Sequence, residues 1–209
     1  MASIAARSVT SCPMFDTLPL SHILGPFLTT TGVVAIAEIG DKTQLLSLLL
    51  AARFHRPWPI LAGILVATVA NHLAAAAIGV WLEGLLEPRV LRWVLIASFL
   101  AMAAWTLIPD KLEEEAAPKS QRWGAFLTTL AMFFLAEIGD KTQLATTALA
   151  ARYDAILAVT AASTLGLMLA NVPVVLLGKA LMRRLPLRLA RYLAAAAFLL
   201  LAVVLLLAG

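Results

Sequence analysis

Charge is scarce in this chain, and so are cysteine and histidine. Only 13% of its 209 residues are Asp, Glu, Lys or Arg, against about 25% in soluble domains. The single cysteine, Cys12, excludes an intramolecular disulfide and a thiolate cage for a metal. His22, His55 and His72 are too scattered to point to a zinc or copper centre. The first 22 residues lack an apolar run long enough for a secretory signal. They are Ser/Ala-rich with one arginine, Arg7, and read as a disordered tail rather than a short organelle-targeting segment. The formal net charge of +4 is no argument for nucleic acid, because the basic residues sit in short loops between apolar runs.

What fills the sequence instead is hydrocarbon. Sixty-two per cent of residues are hydrophobic, which places the chain among all-α polytopic membrane proteins. Apolar segments run approximately over 23–52, 58–82, 90–108, 123–151, 155–178 and 187–208. A span needs about 20 residues, and the second, third, fifth and sixth segments are near that length. The first and fourth reach about 29 residues, or about 44 Å of helix against a hydrocarbon core of about 30 Å. They must tilt, protrude or break.

Both long segments carry the same eight residues. Glu38-Ile39-Gly40-Asp41-Lys42-Thr43-Gln44-Leu45 returns as Glu137-Ile138-Gly139-Asp140-Lys141-Thr142-Gln143-Leu144, an offset of 99. The same offset aligns Ala51-Ala52-Arg53-Phe54 with Ala150-Ala151-Arg152-Tyr153, Arg92-Trp93 with Arg191-Tyr192, and Phe99 with Phe198. One further residue of shift aligns Ala70-Asn71 with Ala170-Asn171. The chain thus divides into a tail (1–22), a first three-helix repeat (23–108), a linker (109–122) and a second three-helix repeat (123–209). Three being odd, the second repeat enters the membrane inverted. Inverted repeats with interrupted helices at the midplane are a pattern of alternating-access transporters.

Loop charges orient the six spans. Arg7, Arg89, Arg92 and Arg152 fall on one side. Arg53, Arg56, Lys111, Lys119, Arg122, Lys179, Arg183, Arg184, Arg188 and Arg191 fall on the other. The positive-inside rule puts the richer side, with the 109–122 linker, in the cytoplasm and both termini outside. The acidic stretch Asp110–Glu115 reads as solvated loop, and the basic run Lys179–Arg191 as an orientation anchor.

Ionisable groups within hydrocarbon are expensive and mark function by default. On a helix Glu38, Asp41 and Lys42 share a face, as do Glu137, Asp140 and Lys141. About a pseudo-two-fold axis they sum to four carboxylates and two ammonium groups, a net charge that one divalent cation neutralises. Thr43, Thr142, Gln44 and Gln143 can add neutral oxygens, and Ser47 and Thr146 further hydroxyls behind them. All-oxygen donors suit Ca²⁺, Mn²⁺ or Mg²⁺ rather than softer metals. An empty cluster would hold excess negative charge in low dielectric, so protons should take the cation's place. Two protons per divalent ion would keep the site neutral throughout.

Other roles are open to some of these residues. Lys42 and Lys141 are charge-pairing or gating groups, and as ion pairs they would merely make the acids tolerable. The octet could also be a polar turn between half-helices. Asn71 and Asn171 are interhelical hydrogen-bond glue or groups that support the ligands from behind. His72 faces Val172 in the alignment, which favours packing over proton relay.

The motif Glu-x-Gly-Asp-(Lys/Arg)-(Thr/Ser), met in full at Glu38–Thr43 and Glu137–Thr142, resembles the signature of the GDT/TMEM-type cation/proton antiporters. The resemblance covers about residues 23–208. It implies six or seven helices in inverted repeats and export of Mn²⁺ or Ca²⁺ from the cytoplasm against protons. It also implies binding by Glu38, Asp41, Glu137 and Asp140, with Thr43 and Thr142 beside them. The short linker and the lack of a long leader resemble bacterial members, associated with manganese export, and so imply the cytoplasmic (inner) membrane. No enzymatic activity, resident cofactor or nucleic-acid partner is expected; the cation is cargo, the bilayer is the surrounding medium, and the oligomeric state is left open.

Three other readings compete. An acidic pocket with apolar walls would also take a cationic small molecule such as a basic amino acid. A passive cation channel would show transport uncoupled from a pH gradient. Gly40-Asp41 and Gly139-Asp140 offer two membrane aspartates to an intramembrane protease, but that chemistry has no use for the adjoining lysines and glutamates.

Overall fold

A computed structural model of the chain describes residues 20–108, 124–178, 180 and 186–208. The linker expected at 109–122 lies outside the described residues. So does the expected tail, except that Leu20, Ser21 and His22 open the first helix. Among the described residues there are eight α-helices and no strand. They are α1 (Leu20–Glu38), α2 (Lys42–Phe54), α3 (Pro57–Leu85), α4 (Pro88–Thr106), α5 (Gly124–Glu137), α6 (Lys141–Tyr153), α7 (Ile156–Leu177) and α8 (Leu187–Leu207). Helices α3, α4, α7 and α8 are each long and apolar enough to cross a membrane.

The two overlong segments break, and they break at the octets. Gly40 and Gly139 adopt φ of 83° and 72°, a left-handed conformation that glycine enters without steric cost. The chain then restarts as a helix with Asp41 and Asp140 as N-caps, whose carboxylates accept from the Thr43 and Thr142 amides. Helices α2, α5 and α6 have 13 or 14 residues, about 20 Å each, too short to cross alone. Each break therefore brings a carbonyl-rich helix end and an amide-rich helix start together inside the bundle.

The halves exchange their packing. Helix α1 lies on α7 while α3 lies on α5, and α2 and α6 reach across to α7 and α3. Close approach depends on small residues: a Cβ on Gly166 would come within 2.7 Å of the Thr31 carbonyl oxygen. Helices α4 and α8 pair through Phe99 and Phe198, whose rings stack at 6.5 Å. Two apolar cores result. One gathers Val33, Ala37, Phe99, Leu149 and Phe198; the other gathers Val34, Leu50, Ile60, Phe133 and Leu167.

The outer surface is apolar as well. Leu28, Leu135, Leu157 and Leu207 are exposed, among many others, far beyond the patch a soluble monomer presents. Trp58 and Trp81 are exposed near opposite ends of α3. At 1.5 Å per residue they lie about 35 Å apart, which suits the two interfacial belts where tryptophan collects.

Candidate functional site

Both breaks are built alike from local sequence. Gln44 and Gln143 fold back so that Oε1 accepts from the amide of Gly40 at 2.8 Å and of Gly139 at 2.6 Å. The amides of Asp41 and Asp140 donate to the carbonyls of Glu38 and Glu137. The glutamine oxygens expected to face a cation are thus engaged in stitching the break. The aspartates lie where the positive ends of α2 and α6 stabilise carboxylates.

Charge pairing crosses between the octets. The Lys42 Nζ lies 2.9 Å from Asp140 Oδ1, and the Lys141 Nζ lies 2.8 Å from Asp41 Oδ1. Each lysine thus offsets the aspartate of the other half. A buried charge without a partner costs several kcal/mol, so this exchange ties the breaks together. The two pairs differ in access, however. The Lys42 side chain is 31% exposed and that of Lys141 only 4%.

Three acids converge. Oxygens from Glu38, Asp41 and Asp140, all buried, lie within 4.8 Å of one another. Thr43 Oγ1 donates to Glu38 Oε2 at 2.6 Å, while Glu38 Oε1 accepts no hydrogen bond among the described residues. Thr142 Oγ1 donates to Asp140 Oδ2 at 3.4 Å. Three carboxylates converging in a protein interior have the donor chemistry that could hold a hard cation. The two flanking lysines leave a formal charge of −1.

Glu137 borders that trio without being one of the three, close enough for its charge to act on Glu38 and for those of Asp140, Asp41 and Lys42 to act on it. Its Oε1 accepts from Thr68 Oγ1 at 3.2 Å, and His72 Nε2 lies 3.6 Å from its Oε2. Sequence reasoning passed over Thr68 and favoured packing for His72. The available signal was that Thr68, Asn71 and His72 share one face of α3 at i, i+3 and i+4 spacing, amid apolar turns on either side.

The remaining candidates link helices. Ser47 Oγ donates to Asn171 Oδ1 at 2.5 Å, and Gln44 Nε2 donates to the Ala170 carbonyl, tying α2 to α7. Asn71 Nδ2 donates to the Phe134 carbonyl, which ties α3 to α5. Thr146 donates to the Thr142 carbonyl within its own helix.

Comparison with known proteins places this arrangement. Residues 26–114 and 125–209 match the family described as Divalent cation/proton antiporter GDT1, so each matched stretch contains one octet. A protein of Vibrio cholerae serotype O1, named "Putative manganese exporter", is 51% identical over 185 residues, covering 88% of this chain and 92% of that protein. No solved structure matches the chain. With most of its length matched and both octets included, this chain belongs to the divalent cation/proton antiporter GDT1 family.

Proposed function

We propose that the protein exports Mn²⁺, with Ca²⁺ as the second choice, from the cytoplasm in exchange for protons. It would do so across a cytoplasmic (inner) membrane, crossed six times by two inverted three-helix repeats with both termini outside. The observation that carries this reading is the convergence of Glu38, Asp41 and Asp140 from opposite halves, with oxygens within 4.8 Å. Such a cluster binds a divalent cation, and the relative's name favours manganese among the hard ions. Glu137 supplies the fourth carboxylate, so that four acids and two lysines leave −2 and one divalent ion restores neutrality. When the cation leaves, two protons on the same oxygens restore it again.

Alternating access is supported by the unequal exposure of the two cross-pairs. The Lys42–Asp140 side is the accessible one and the Lys141–Asp41 side is sealed. Half-helix ends meeting at a shared site fit transporters that rock one repeat against the other.

The test is total cellular manganese in cells carrying wild type or Glu38→Gln after Mn²⁺ challenge. Several-fold accumulation and Mn²⁺ sensitivity are expected with Glu38→Gln, and a parallel Ca²⁺ challenge ranks the two ions. Unchanged metal content would refute export. In proteoliposomes, clear net charge movement with a single cation species would refute the two-for-one ratio.

A further inference from the structure

The two octets are identical, so Glu38 and Glu137 should behave identically, and they do not. Glu38 is held by Thr43 of its own octet and lies in the carboxylate trio. Thr142, the counterpart of Thr43, serves Asp140 and, in the other octet, Glu38 rather than its own Glu137. Glu137 is engaged by two side chains of α3, Thr68 through a hydrogen bond and His72 through a 3.6 Å contact. Both of these side chains are fully buried. The alignment of Asn71 with Asn171 places Met168 and Val172 at the matching positions of α7. Neither can hydrogen-bond a carboxylate as Thr68 does. The difference between the glutamates therefore originates outside the octets, on one face of α3.

We infer that Thr68 and His72 are positioning residues that hold Glu137 out of the cation cluster and so set the balance between cation binding and release. The inference rests on the antiporter reading. A divalent ion in the trio, flanked by two lysines, leaves an excess of +1, which attracts the Glu137 carboxylate. Thr68 and His72 compete for that carboxylate. Their hold weakens the loaded state and provides a place to which Glu137 returns as the ion departs. Without it, Glu137 joins the trio permanently and the cation stays.

The experiment is Mn²⁺ binding by calorimetry to the purified full-length protein, together with Mn²⁺ flux in proteoliposomes. Thr68→Met with His72→Val installs on α3 the residues that α7 carries. A hydrogen bond to a carboxylate corresponds to roughly a tenfold effect on an equilibrium. The double variant is therefore expected to bind Mn²⁺ about tenfold more tightly, with KM falling and kcat falling too. Thr68→Ser with His72→Gln, which restores donors, is expected to return both Kd and kcat most of the way to wild type. An unchanged Kd with reduced flux in the double variant overturns the inference, since merely structural residues lower kcat without tightening binding. If the double variant does not purify as a monodisperse species, Thr68→Val alone, which removes the hydrogen bond, carries the same expectation of about tenfold. A wild-type Kd there overturns the inference as well. Wild-type protein that binds no Mn²⁺ overturns the antiporter reading first and the inference with it, so the two failures are distinguishable.

Discussion

The glycine turn of the first octet is covered by another helix and that of the second is not, although the octets share every residue. Around Gly40 the cover comes from α8: a Cβ there would meet Leu187 Cδ2 at 3.1 Å. Gln44 and Ser47 then fasten α2 to Ala170 and Asn171 of α7. Around Gly139 a Cβ would meet nothing within 4 Å, and the neighbouring Ile138 is 54% exposed. There the hydroxyls turn inward, with Thr146 and Thr147 bonding carbonyls of their own helix. Local sequence therefore builds the break twice in the same form, and the helices packed around each copy decide whether it is sealed. Helix α8 leans on α1, while its counterpart α4 leans on α6.

The largest expected effect breaks the comparison at its centre. Glu38→Gln removes a member of the trio and should weaken Mn²⁺ binding by at least about a hundredfold, beyond what an outer partner supplies. Glu137→Gln should weaken it by no more than about tenfold while abolishing flux. Calorimetry against proteoliposome transport reads both, and equal losses of affinity would mean that the two glutamates are equivalent after all.

Next come the cross-pairs. Lys141→Ala takes the ammonium from beside the buried Asp41 carboxylate and should cost about 3–5 kcal/mol, as breaking a buried pair does. Lys42→Ala opens a pair that is one-third exposed, and should cost about 1 kcal/mol. Thermal unfolding in detergent ranks them, and the reverse order would show that the accessible side has been misassigned.

The smallest effect tests the fastening to α7. Ser47→Ala removes an interhelical hydrogen bond and should cost about 1 kcal/mol. Thr146→Ala removes only a bond to its own helix and should change stability by less than about 0.5 kcal/mol. The same unfolding measurement applies, and matched losses would place Thr146 against α3 in some populated state.

Much of the fold could be read before any coordinates. Hydrophobic runs located the segments within a few residues, because lipid-facing helices must be apolar along their whole length. The length of the two overlong segments required them to tilt, protrude or break, and the structure breaks them at their central glycines. What could not be read was the part each polar side chain takes. Gln44 and Gln143 read as ligands in sequence, and each also lies one turn from an orphan glycine amide that its Oε1 satisfies.

By itself the sequence determined that the acids are duplicated, that they lie in hydrocarbon, and that six charged groups of two octets must find partners. Those are consequences of composition and periodicity, which need no neighbours to evaluate. Only tertiary structure decided that each lysine serves the opposite aspartate, that Glu38, Asp41 and Asp140 come within 4.8 Å of one another, and that Glu137 meets Thr68 and His72. The physical reason is that burial makes every polar atom seek its nearest partner, and the nearest partner lies on another helix.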